Sequence, residues 1–262
     1  MIEVSGSVCA IFEFIIYILI SRFTRKTNSN FMKMDTFTYY WFTFIILTGF
    51  WELVYLTNYE YTNQLSHQLI NSGEHVWTKK YSLSHILPWK FSEIFYSEYG
   101  AYSDREYMTT KDIWSRLIEG SHCLFCGLFC LFALITAGLK GINTKHFYVT
   151  MTFAMGCQFM NSILYMGNYQ VQTFNVHSIN YNTHEFPLGD FWSKRPFMYV
   201  NFPWTLFPII IVILHLIDQN KYFRESYATL QKVISHRQNS KTPYKSLANF
   251  IKQESTKLKN IP

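Results

Sequence analysis

Glu13, Glu52, Arg116, Glu119, His122, Asn201 and His215 stand inside or at the edge of long apolar runs. A charged side chain at the centre of a bilayer costs roughly 3 kcal/mol on insertion scales, so such residues pair with one another or carry function. Glu119 and His122 are three residues apart, as are Asn201 and Trp204, which puts each pair on one face of a helix. Two carboxylates, an imidazole, an amide and an indole around one cavity would form an acid–base site with a cation-binding wall. Two neighbouring buried carboxylates cannot both ionise cheaply, so one is expected to hold a proton. A protonated carboxylic acid is a usable general acid, and the face of Trp204 can stabilise a cation.

Blander roles exist for each. Glu119 could pair with Arg116 near the interface, His122 could be a satisfied packing histidine, and Trp204 could belong to an interfacial aromatic belt. Glu13 has no partner recognisable from sequence and reads as structural. His215 reads as interfacial.

The elements that must position these residues are apolar segments. Five stand out, over residues 8–22, 37–56, 113–139, 147–166 and 197–217. The second has 20 residues, enough for a helix of about 30 Å, the thickness of the hydrocarbon core. The first is short, but Arg22, Arg25 and Lys26 follow rather than precede it. It therefore reads as a retained span rather than a signal peptide. Pro203 and Pro208 fall inside the fifth, which is tolerable where neighbouring helices satisfy the freed carbonyls. Residues 57–112 form a polar, aromatic-rich stretch suited to an interfacial or folded loop. Residues 167–195 read as irregular. The expected class is an all-α membrane protein, a five-transmembrane-helix bundle with an enclosed ligand cavity: a membrane domain over 1–220 and a basic cytoplasmic tail over 221–262.

Composition agrees. Charged residues are 15% and aromatics 19% of the chain, which carries 24 Phe and 19 Tyr; soluble domains hold roughly 25% charged residues. The net charge of +6 is not spread like a nucleic-acid footprint. From Asp218 onward there are nine Lys or Arg against three acids, and residues 22–33 hold four more bases. With Lys140 and Lys145, these clusters fall on one side if five spans alternate, as the positive-inside rule expects. The N-terminus and both long loops then face the other side. In the endoplasmic reticulum membrane that means a lumenal N-terminus and a cytoplasmic C-terminus. No nucleic-acid partner is indicated. The five cysteines, Cys9, Cys123, Cys126, Cys130 and Cys157, all lie in apolar blocks and read as structural thiols. The CxxC at Cys123 and Cys126 has no second pair to complete a metal site.

Alternation also fixes depth. Span two ends on the non-basic side with Glu52 one turn from that end. Span three begins there, with Glu119 two turns in. Span five begins there too, with Asn201 one turn and Trp204 two turns in. Glu52, Glu119, His122, Asn201 and Trp204 should therefore share one depth, whichever way up the chain sits.

These residues also carry a family resemblance. Residues 98–127 contain Glu98-Tyr99, Asp104 with Tyr107, and Glu119 followed by Gly127. The fourth span holds Gln158, Leu164 and Tyr165, and the fifth Asn201, Trp204 and Pro208. In this order they resemble the emopamil-binding protein family, the sterol Δ8–Δ7 isomerases of the EXPERA superfamily, over roughly residues 8–235. The resemblance implies five spans and an isomerase that moves a ring double bond by protonation, carbocation formation and deprotonation, without metal or redox cofactor. It implies Glu52 and Glu119 as catalytic groups, to which the spacing adds His122, and Thr48, Asn201, Trp204, Tyr107 and Tyr165 are the expected substrate-binding groups. The family's second span carries His-x-x-x-Glu. Here Glu52 takes the glutamate position and Thr48 that of the histidine; a one-turn shift would instead align Glu52 with the histidine and Leu56 with the glutamate. His122, where the family commonly has Thr, is the candidate to replace the lost imidazole. The implied partners are a sterol or sterol-like lipid, cationic amphiphilic ligands and the lipid bilayer. The superfamily's non-catalytic lipid-binding members, and isomerases of other polycyclic terpenoids, supply alternatives. A homodimer is left open.

Overall fold

A computed structural model describes residues 2–105, 113–179, 181 and 196–239. Tyr107, an expected substrate contact, lies outside the described residues. Two compact units are present, Met1–Ile209 and Ile210–Pro262.

Four helices are long and apolar enough to cross a bilayer: Gly6–Thr27, Thr36–Thr57, Arg116–Lys140 and Asn201–Asp218. The chain is thus a predominantly helical, multi-pass membrane protein. The first unit opens on a short strand, β1 (Glu3–Ser5), followed by α1 (Gly6–Thr27). Ser5 caps α1 by accepting the Val8 N–H, and Arg25 and Lys26 lie in its last turn, where cations favour the helix dipole. Ile11, Ile15, Ile18 and Leu19 are exposed, as hydrocarbon-facing residues should be. The buried positions are few: Gly6, Cys9, Glu13 and Ser21. Glu13 therefore sits on the narrow stripe that faces protein.

Arg25 ties α1 to the turn before the second span. Its guanidinium donates to Phe31 O, Met34 O and Thr36 Oγ1, across the short α2 (Ser29–Lys33). Asp35 then caps α3 (Thr36–Thr57), accepting from Phe37 N at 3.1 Å and Thr38 N at 2.7 Å.

The stretch expected to be an interfacial or folded loop is a folded segment. It holds α4 (Tyr59–Ser72), closed by Gly73 at φ 65°, then β2 (Lys80–Ser82) and α5 (Pro88–Glu98). β2 pairs antiparallel with β1, Val4 opposite Tyr81. Two three-residue strands from distant stretches carry no periodicity that a sequence reading could find. Gly6 sits at this junction: a Cβ there would stand 2.3 Å from Val76 O, closer than any contact allows. Cys9 of α1, Trp51 and Tyr55 of α3, and Phe91, Ile94 and Tyr96 of the segment form one buried cluster.

The span expected over 113–139 is three pieces: α6 (Ile113–Ser121), a π-helical segment His122–Gly127, and α7 (Leu128–Lys140). Wide π turns recur at functional sites, and this one begins at His122. It also brings Gly127 against α3. A Cβ on Gly49 would stand 3.2 Å from Gly127 Cα, so two glycines allow the backbones to touch, as small residues do between membrane helices. α8 (Lys145–Phe174) comes next, capped by Thr144. It is 30 residues long but less apolar than the four spans, because Gln158, Asn161, Asn168, Gln170 and Gln172 lie along it. α9 (Pro196–Asn239) contains Pro203 and Pro208 and continues well past the expected end of the span at residue 217.

Candidate functional site

One cavity of about 410 Å³ lies in the first unit; small-molecule sites run from about 300 to 1,000 Å³. Several helices contribute to it. α3 supplies Thr48 and Glu52, α6 and the π segment supply Glu119 and His122, α8 supplies Tyr165, and α9 supplies Asn201 and Trp204. Every expected site residue within the described residues therefore lines the same cavity.

The polar geometry centres on His122. Its Nδ1 hydrogen-bonds Glu52 Oε2, and its Nε2 lies 2.9 Å from Gln158 Oε1. Both histidine and glutamate are buried, and Gln158 is wholly so. Gln158 Nε2 in turn donates to Ser162 Oγ at 3.4 Å. Three helices thus contribute one hydrogen-bonded line, Glu52–His122–Gln158–Ser162. His122 is paired with Glu52 across helices; the spacing on its own helix had grouped it with Glu119.

Tyr96, on α5 outside the spans, lines the cavity beside Glu52. Burial pushes its hydroxyl well above the ordinary tyrosine range, and the nearby Glu52 adds to that. It therefore stays protonated and available to donate. Thr48 is buried, and its hydroxyl donates to Ile45 O at 3.2 Å within its own helix. Glu119 is buried on the same wall. Arg116 does not sit idle at the interface: its guanidinium lies 3.8 Å from the centre of the Tyr59 ring, a cation–π contact.

Aromatic side chains also line the cavity. Trp204 meets Trp41 and Phe44 edge-on, with ring centres 5.3 Å and 5.6 Å apart. Tyr165 bonds Tyr99 through their hydroxyls and reaches Asp104 Oδ2 at 3.3 Å. Glu98 holds the outer rim, accepting from Val76 N at 2.9 Å and lying 2.7 Å from His75 Nδ1. Trp77, from the same loop, lines the cavity.

Sequence reasoning missed several of these. Glu13 does have a partner: Trp51 Nε1 donates to its Oε1 at 3.2 Å. The i to i+4 offset of Glu13 from Cys9 on the protein-facing stripe was the available signal. Tyr96 comes from a helix that sequence treated as loop. Gln158 belongs to a sequence pattern, but nothing in its spacing marks it as a partner of His122.

A membrane helix bundle with an acid–base cluster at the wall of an apolar cavity is the class that fold and site define. The chain matches no protein-family model, no curated protein and no solved structure.

Proposed function

We propose that the chain is an intramolecular isomerase that shifts a ring double bond of a sterol or sterol-like lipid. The observation that carries this reading is the buried Glu52–His122 pair opening on a cavity that also presents Glu119 and Trp204. The family resemblance supplies the substrate class. The site has the parts that the chemistry needs. The Glu52–His122 couple gives a proton to one alkene carbon, and the π pair becomes the new C–H bond. The resulting tertiary cation lies against the Trp204 face and the Glu119 carboxylate. Loss of a proton from the neighbouring carbon to a basic group of the site re-forms the double bond one position along. Electrons balance without oxidant, reductant or metal. Asn201 orients the substrate hydroxyl or the acid.

In this reading α8 is the fourth of five spans. Its polar residues do not forbid that, because Gln158, Ser162 and Tyr165 are buried against protein rather than turned to lipid. Five alternating spans place the basic segments together in the cytoplasm of an endoplasmic reticulum protein, with the N-terminus lumenal. Cationic amphiphiles would mimic the cation and compete for the cavity.

One observation favours a second reading, a sterol-binding protein without turnover. Thr48, at the family's histidine position, is engaged by its own helix and offers no titratable group. Complementation of sterol-isomerase-deficient yeast, with sterol profiling, separates the two. The isomerase converts accumulated Δ8-sterol; a binder leaves it in place.

A further inference from the structure

We propose that Gln158 is a positioning residue that holds His122 in the Nε2–H tautomer, so that Nδ1 and Glu52 share one transferable proton. The Gln158 amide has two ends, and the structure uses both. Oε1 faces His122 Nε2 at 2.9 Å, and Nε2 faces Ser162 Oγ at 3.4 Å. A carbonyl oxygen only accepts, so the imidazole nitrogen opposite must carry a proton. With Nε2–H committed, the Nδ1 end has two states. It accepts from a protonated Glu52, or it donates as imidazolium to the Glu52 carboxylate. In both, a single proton lies between Nδ1 and Oε2, and moving it needs no rearrangement of heavy atoms.

The environment enforces this arrangement. Gln158 is fully buried and Ser162 nearly so, which shields both partners from bulk solvent. Gln158 and Ser162 are one turn apart on α8, so the serine fixes which way the amide points. The opposite tautomer would set a bare Nε2 against the Gln158 carbonyl oxygen, lone pair against lone pair, at a site that bulk solvent does not relieve. Both ring nitrogens of His122 are thus engaged by protein. The imidazole then serves as the store that reloads Glu52, and Glu52 is the group that hands the proton to a ligand. The structural claim stands on the hydrogen bonds alone; its functional consequence rests on the isomerase reading.

The test uses the full chain in lipid nanodiscs, labelled with ¹⁵N at histidine. The His122 signals are those absent from the His122→Gln protein. The wild type is expected to show a proton on Nε2. In Gln158→Leu that proton is lost from Nε2 and the neutral ring becomes Nδ1–H. Gln158→Glu, which keeps an acceptor, restores Nε2–H. Should the leucine variant not fold, Ser162→Ala carries the test, because a freed amide gives a mixture of tautomers. A wild-type ring with bare Nε2, or a folded Gln158→Leu protein with Nε2–H unchanged, overturns the proposal. Turnover of a Δ8-sterol is measured on the same samples. Gln158→Leu is expected to lower kcat roughly 100-fold while KM changes little, since only proton delivery is affected. If the tautomer shifts but even the wild type converts nothing, the isomerase reading falls and the positioning role stands. If the wild type is active and the tautomer does not move, the reverse holds.

Discussion

His122 Nδ1 and Glu52 Oε2 are hydrogen-bonded, although 70 residues separate them in the chain. The contact joins the start of a π-helical segment to the C-terminal half of α3. Gly49 and Gly127 make it attainable, because they let those two backbones approach within van der Waals distance nearby. Packing and chemistry are therefore coupled. The small residues that close the helix pair also set the reach of the imidazole.

Gly49→Val should break that coupling. The added side chain meets Gly127 Cα and the Cys123 backbone, and overpacking of this kind costs about 1–3 kcal/mol. The melting temperature of the detergent-solubilised protein should fall. The His122 ¹⁵N signals should shift even in molecules that remain folded. Unchanged melting and unchanged signals would show that the close approach is not needed.

Glu13 and Trp51 should behave as a coupled pair. Removing the indole N–H leaves a carboxyl group buried without its donor, which costs about 1–3 kcal/mol. Trp51→Ala and Glu13→Leu should each destabilise the protein. The double variant should lose less than their sum, by about 0.5–3 kcal/mol in a thermal double-mutant cycle. Strict additivity would mean that the hydrogen bond contributes nothing.

Gly6→Ala should detach the outer segment. Its methyl cannot fit 2.3 Å from Val76 O, so the β1–β2 pairing and the Ser7–Trp77 hydrogen bond should loosen together. Hydrogen exchange should speed up over residues 3–7 and 75–82 and stay slow in α3. Protection that is unchanged in both strands would contradict this.

Part of the site is legible in the sequence. Counting turns from the span ends groups Glu52, Glu119, Asn201 and Trp204, and the four line one cavity. The count uses only the direction and fixed rise of a helix. What lies across the bundle was not readable. Gln158 and Glu52 meet the same imidazole, yet nothing in their spacing connects them. Rotation of α8 about its axis decides the contact, and its polar residues occupy more than one face. The outer segment was also hidden, because α4 and α5 are short and β1 and β2 have three residues each. The long helix α8 illustrates the opposite case. Its length is plain in the sequence, but its amides lower its apolar character, and tertiary burial accounts for Gln158 and Gln172 among them.

Glu119→Gln should remove the ionisable carboxyl from the cavity while keeping size. Turnover of a Δ8-sterol in microsomes should fall by roughly 100-fold or more, with membrane insertion and melting close to wild type. Full activity in a correctly inserted variant would remove Glu119 from the mechanism.

The most direct measurement is isotope incorporation. Purified protein in nanodiscs is given a Δ8-sterol in heavy water, and the product is analysed by mass spectrometry. Protonation by an exchangeable Glu52–His122 couple predicts one solvent deuterium in each Δ7 product molecule, abolished in Glu52→Gln. Product without deuterium, deuterated product from Glu52→Gln at the wild-type rate, or no product from folded wild-type protein would contradict acid–base isomerisation in this cavity.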